Sequence, residues 1–362
     1  MVPNRSPLPS VSLNDSAADA IVRRPGIKDV AARSGVSIKT VSRVVNAEPS
    51  VRPATRNRVL VAIESLGYVP NTAARSLKSG VAGVIGVVID SLADPFFAAL
   101  VSAIEERALT EGLSVLIGST GLDPVREREQ LLSLAAGHQV SGIIFAPVAN
   151  DLSYLDPFRA LMPVVAVDRA HPLFDSVVVD DYEATQTALR PLIALGHRRI
   201  AFYDQNEQFL TIRRRYRAYL DVLDEAAIPF DAELVAWANE SPFDHAAETQ
   251  RLLNLSDPAT AFFASNAKAA IGLVTSLHHM GREETAMVAF GDFTLAGVLK
   301  PAVSCIDQDP YLIGTEAIER LLQLRASPGD TPREWIVPTS FVQRGSGEIP
   351  PTRPASQSGL AR

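Results

Sequence analysis

Residues 27–46 read IKDVAARSGVSIKTVSRVVN, and their spacing places donors and one apolar side chain on a single exposed helical face. Ile27, Val30 and Ala31 share one side of a first helix that stops at Ser34-Gly35. Ser37 can cap a second helix whose inner side carries Val41, Val44 and Val45, with Asn46 near its end. Gly35 permits the tight turn between them. Two short helices joined this way make a helix-turn-helix, which presents the start of its second helix to the major groove. Ser37, Ile38, Lys39 and Thr40, with Arg43 one turn on, fall on that surface. Lys39 and Arg43 can donate to guanine edges and Ile38 can pack on a thymine methyl, while Thr40 and Ser42 suit phosphates.

The elements that must hold this face follow directly. Pro53 opens a third helix with the apolar stripe Val59, Ala62, Ile63 and Leu66, and Gly67 closes it. Pro70 then begins a short segment, Asn71 to Leu77, ahead of Ser79-Gly80. Charge divides with the helices. Residues 23–78 hold 11 Lys and Arg against Asp29, Glu48 and Glu64, a balance of +8. Residues 1–22 contribute −1, so the chain total of −7 leaves −14 on residues 79–362. A basic module on an acidic body points to a polyanion partner for the small part alone.

From residue 83 the pattern changes to short apolar runs alternating with amphipathic helices: VIGVVID, AALVSAIEERALTEG, SVLIG, REQLLSLAAGH, SGIIFAPV, then VVAVD, RRIAFY, TAFFAS and MVAFGD. This is the signature of βαβ units and doubly wound parallel sheets. The number of units suits two lobes of about 120–150 residues. The expected organisation is a tail over 1–25, a helix-turn-helix domain over 26–69, a hinge helix and linker over 70–82, a two-lobed core over 83–346, and a tail over 347–362. With 47% hydrophobic and 21% charged residues, the 362-residue chain has the composition of a folded globular protein. No apolar run approaches the roughly 18 residues needed to span a bilayer, and residues 1–25 lack the apolar segment of a secretory signal. A cytoplasmic location without membrane contact is expected. Cys305 is the single cysteine, so neither a disulfide nor a cysteine-rich zinc site is expected.

Catalytic readings are poor by comparison. His138, His171, His197, His245, His278 and His279 are scattered, and none sits in a metal-binding spacing. His197, in LGHRR, belongs to a helix-to-strand turn. Gly80, Gly83 and Gly86 precede a strand rather than follow it, which is the wrong order for a phosphate loop. No catalytic residue, metal or cofactor is expected.

The run from Ile27 to Asn46, followed by TRNRVLVAIESLGYVPNTAARSLKSG, resembles the DNA-binding headpiece of the lac-repressor and galactose-repressor family. The resemblance continues in the family's order over roughly residues 27–346, through VIGVVIDSLADPFFAAL, SGIIFAP, VVAVDR, LGHRRIAFY, TAFFASN, GDFTLAGVLKPAVSCI and FVQRGS. It implies an all-α headpiece on a periplasmic-binding-protein-like core of two α/β lobes. It further implies that Asn71 to Leu77 is a hinge helix that orders on operator DNA, with Leu77 wedging a base step in the minor groove and Ala74 beside it. Matching positions place Asp94, Phe96, Phe97, Arg169, Thr211, Arg215, Asn266 and Asp292 around a small-molecule cleft.

Some positions depart from the family. Asn266-Ala267 stands where Asn-Asp is common, and Asp180-Asp181 where Asp-Asn is common. Phe209 stands where a purine-responsive relative has an arginine, which weakens a purine as ligand. The function implied is a sequence-specific transcriptional regulator, read as a repressor. It would bind a pseudo-palindromic operator as a homodimer or higher oligomer, under control of a small-molecule effector such as a sugar. The competing classes are a solute-binding protein, which calls for a signal peptide and no basic headpiece, and an enzyme on the same α/β scaffold, which needs a phosphate loop or a base in the cleft.

Overall fold

The computed structural model describes residues 25–45, 48, 50–68, 83–137, 140–159, 161–204, 209–237, 243–327 and 331–351. Asn46, His138 and the expected hinge residues Asn71, Ala74 and Leu77 lie outside them, as do residues 1–24 and 352–362. Contacts divide the chain into two compact units, Met1–Ser79 and Gly80–Arg362.

The described residues of the first unit form three helices: α1 (Ile27–Ser34), α2 (Ile38–Val45) and α3 (Pro53–Leu66). Gly35 ends α1 at φ +65°, a left-handed conformation that a β-carbon would strain. The Ser37 hydroxyl caps α2 by accepting from the Thr40 N–H at 3.1 Å. Val30, Ala31, Val41, Val44, Val59 and Ala62 are buried together, so one small core clamps all three helices.

The second unit runs β1 (Val84–Ile89), α4 (Pro95–Thr110), β2 (Ser114–Ser119), α5 (Pro124–Gly137), β3 (Ile143–Phe145), α6 (Asp156–Arg159), β4 (Val164–Val167) and β5 (Asp175–Val179). It continues through α7 (Asp181–Ala194), β6 (Ile200–Tyr203), α8 (Leu210–Glu225), β7 (Val235–Ala236), α9 (His245–Leu253), β8 (Ala261–Ala264), α10 (Ala267–His279), β9 (Ala286–Phe290) and β10 (Ser304–Asp307). Last come α11 (Pro310–Ala326), β11 (Glu334–Val337) and β12 (Ser340–Val342). Two six-stranded sheets result, ordered β11-β5-β4-β3-β1-β2 and β12-β10-β9-β8-β6-β7. The sheet pairs are parallel except β10 with β12. Continuous apolar runs such as VVAV and AFFA are buried on both faces, as central strands covered by helices must be.

The chain crosses between the lobes three times: from β5 to α7, from β10 to α11, and from β11 to β12. Helix α11 leaves the second sheet and packs on α4 of the first lobe. The close approach occurs at Gly314, where a β-carbon would collide with the Leu100 carbonyl oxygen. These crossings bring the carboxyl ends of both sets of strands together, where open α/β sheets hold ligands. Among the described residues, no helix is long and apolar enough to cross a membrane.

Candidate DNA-reading face and effector cleft

On α2 the buried valines leave Ser37, Ile38, Lys39 and Arg43 exposed, with Thr40 and Ser42 half-buried. Ile38 keeps 46% of its surface open. The Ser37 and Thr40 hydroxyls lie 2.9 Å apart and hold the first turn. The Arg43 guanidinium stands 3.6 Å from the Glu48 carboxylate, while Arg56 donates to the Glu48 carbonyl at 2.6 Å. The motif thus offers a capped first turn with exposed donors beyond it.

In the core, Arg169 follows β4 and is 6% exposed. Its Nη2 donates to Asp90 at 2.6 Å and its Nη1 lies 3.3 Å from Asp168, whose backbone is left-handed at φ +65°. From the other lobe, Phe209 stacks on this guanidinium at 5.0 Å. Arg215, on α8, is 3% exposed; it pairs with Asp181 at 2.7–2.8 Å and donates to the Ser265 carbonyl at 2.5 Å. The Phe290 ring lies 3.6 Å from its guanidinium carbon. Burial pushes the Asp90 and Asp181 carboxyls up to about 6, against the pull of Arg169 and Arg215 respectively. Asp94 is also raised, chiefly by burial; it caps α4 by accepting from the Phe96 N–H at 3.0 Å. Asp168 contributes to the rise at Asp90, Asp94 and Asp181 alike, so these four carboxylates share one neighbourhood.

The remaining expected cleft residues are placed as follows. Thr211 is buried in the first turn of α8, four residues before Arg215. Asn266 caps α10 through the Ala269 N–H at 2.8 Å and donates to Asp204 at 3.1 Å. Phe96 and Phe97 form an edge-to-face pair at 5.0 Å and sit in the core, 8% and 4% exposed. Asp292 is clasped by both terminal nitrogens of Arg344 at 2.5–2.7 Å and accepts from the Phe293 N–H, and Arg344 holds its carboxyl below the usual range. Arg169, Arg215, Thr211 and Asn266 are therefore grouped at strand ends and helix starts, whereas Phe97 and Asp292 are already committed to protein partners. His197 is fully buried in its turn, between Thr260 and the Ile349 carbonyl.

Sequence reasoning did not single out Asp90, Asp168, Ser265 or Gln308 as site residues. The first three each end an apolar strand run, a signal present in VIGVVI-Asp90, VVAV-Asp168 and AFFA-Ser265, whereas Gln308 follows SCID and carries no such signal. Among the described residues, Arg169 Nε, Ser265 Oγ and Gln308 Oε1 are buried without a hydrogen-bond partner.

Two family descriptions match this chain. Residues 82–345 match "Periplasmic binding proteins and sugar binding domain of LacI family", and residues 26–71 match "Bacterial regulatory proteins, lacI family". Catabolite control protein A of Priestia megaterium is 30% identical over 305 residues, covering 82% of this chain and 91% of that protein. The transcriptional regulator GalR of Escherichia coli K12 is 29% identical over 303 residues, covering 82% and 88%. Among solved structures, the lac repressor dimer bound to operator and the anti-inducer ONPF aligns at TM-score 0.75 and 27% identity, over 90% of this chain and 99% of that one. The complex of the transcriptional regulator CelR with cellobiose aligns at TM-score 0.63 and 27% identity, over 90% and 100%. A three-helix unit with an exposed basic face and a two-lobed core with a charged cleft are thus joined in the order these relatives share, and the chain belongs to the LacI family of bacterial regulatory proteins.

Proposed function

We propose that this protein is a cytoplasmic, sequence-specific transcriptional repressor that binds a pseudo-palindromic operator as a homodimer and is controlled by a small-molecule effector, a sugar or related metabolite, held between the lobes of its core. The observation that carries the reading is α2, whose outer face leaves Ile38, Lys39 and Arg43 open while Val41 and Val44 lock the inner face. Ser37, Thr40, Ser42 and Asn46 would add backbone contacts, and Asn71, Ala74 and Leu77 would enter the minor groove. In the cleft, Asp94, Arg169, Thr211, Arg215 and Asn266 would hold the effector, with Phe96, Phe97 and Asp292 shaping its floor. The effector acts only through its different affinity for the lobe arrangements that do and do not suit DNA. A binding rather than catalytic role is supported by the cleft arginines, which are locked in ion pairs with carboxylates instead of facing a nucleophile.

The test is a comparison of the full chain with residues 81–362. The full chain should retard operator DNA, and the fragment should bind effector and remain folded without retarding it. Operator binding by the fragment would overturn the assignment.

A further inference from the structure

We propose that Glu48 is a positioning residue of the DNA-reading face: it holds the Arg43 guanidinium aligned for a guanine edge and turns it away from the phosphate backbone. The inference rests on the reading of the first unit as a sequence-specific DNA-binding module and adds the residue that governs one of its base contacts.

Charge singles Glu48 out. Residues 23–78 carry 11 Lys and Arg against three acids, Asp29, Glu48 and Glu64. Asp29 is committed to the start of α1, where it accepts from the Gly26 N–H at 2.7 Å. Glu64 is exposed near the end of α3. Glu48 stands against a candidate base contact, its carboxylate 3.6 Å from Nε of Arg43. An acid on a surface that meets a polyanion lowers affinity for DNA of every sequence. What it can raise is discrimination, by penalising the contacts that carry no sequence information.

The backbone of Glu48 is tied at both of its polar groups. Its N–H donates to the Arg43 carbonyl at 3.0 Å, at the end of α2, and its carbonyl accepts from Arg56 of α3 at 2.6 Å. The carboxylate is therefore carried by a residue anchored to the helix that bears Arg43 and to the helix that shares its core. Arginine has many rotamers, and a fixed partner that restrains them before DNA arrives lessens the ordering cost of docking.

The place of contact matters as much as the charge. Glu48 meets Arg43 at Nε, and among the described residues neither terminal nitrogen of Arg43 has a hydrogen-bond partner. Those two nitrogens are the parallel donors that fit guanine O6 and N7. A phosphate on the same donors would bring a full negative charge beside the carboxylate, whereas guanine O6 and N7 bring only partial charges. Both side chains are about half exposed, so solvent limits the bias to a few-fold.

The experiment uses the full-length protein at physiological salt, first with a random duplex library. Two probes then follow: the duplex that the wild type enriches most, and sonicated mixed-sequence DNA. Arg43→Ala identifies the base pair that Arg43 reads, as the position whose preference it relaxes. Glu48→Gln, which keeps the shape and loses the charge, and Glu48→Ala, each shown folded by circular dichroism, should relax that same position. Both should bind mixed-sequence DNA more tightly, with a salt dependence steeper by about one released counterion. The ratio of affinities for the two probes should fall about threefold or more, the scale of one exposed ion pair. In the Arg43→Ala background, Glu48→Gln should no longer change that ratio. Equal gains on both probes with base preference intact would overturn the proposal and leave Glu48 as a general surface charge. So would the same fall in the ratio with Arg43 already removed, or a wild-type consensus from Arg43→Ala. Enrichment of no duplex by the wild type would overturn the sequence-specific reading of the unit, and this inference with it.

Discussion

Lys39 and Arg43 differ in what restrains them. Lys39 is exposed on α2 and makes no ion pair among the described residues, whereas Arg43 leans toward Glu48 across an exposed pair worth about 0–1 kcal/mol. Either can reach a base edge at little cost, so Lys39→Ala and Arg43→Ala should each weaken operator binding by about 1–3 kcal/mol and relax preference at particular positions. A binding-site selection with each variant checks this, since a phosphate contact would leave the consensus unchanged. In the cleft the buried pairs respond differently. Arg215→Ala strands Asp181 at 1% exposure, so denaturant unfolding should show a loss of about 3–5 kcal/mol. The pH dependence also follows from burial. Asp90 and Asp181 are raised from 3.8 to about 6, so the folded chain binds their protons more tightly than the unfolded chain does. Their contribution to stability is therefore greatest below pH 3.8, declines as pH rises through that window, and is constant above about 6.

Among the elements, α11 meets α4 at a glycine. Gly314 lets its backbone meet α4, and Gly314→Val should cost about 1–3 kcal/mol or more through overpacking, read as a lowered Tm. The segment over residues 70–82 is proposed as the link to DNA. Leu77→Ala should reduce operator affinity and DNA bending together, in a circular-permutation assay, while effector affinity of the DNA-free protein stays constant. Elements with strong local patterns were legible from the sequence. The stripes Val41-Val44 and Val59-Ala62 and the strands VIGVVI, VVAV, IAFY, AFFA and AMVAF occupy the core as their periodicity required. Strand β5 was less visible because it opens with Asp175 and Ser176, both buried; Arg320 and the Arg333 N–H satisfy Asp175 from 145 and 158 residues away. No local pattern encodes such partners. The cleft shows the same division. Arg169, Arg215 and Asn266 came with the family resemblance, whereas Asp90 was not singled out because only the fold sets it beside Arg169, 79 residues away.

For the molecule as a whole, the three crossings between lobes explain how a ligand could govern DNA binding from a distance. Each lobe is completed by segments that return from the other, so the proposed effector, bridging Arg169 of the first lobe and Arg215 of the second, would bias one lobe arrangement over another. Such a device is useful only if the basic headpiece reads a defined sequence. The charge asymmetry, +8 on residues 23–78 against −14 on residues 79–362, directs DNA to the headpiece and away from the core. The measurement that bears most directly on the account is selection of duplexes from a random library by the full-length protein at physiological salt. One enriched consensus with two half-sites related by a twofold axis is expected, lost when Lys39 and Arg43 are both replaced by alanine. Recovery of duplexes with no shared sequence, or of the same consensus by the double variant, would contradict it.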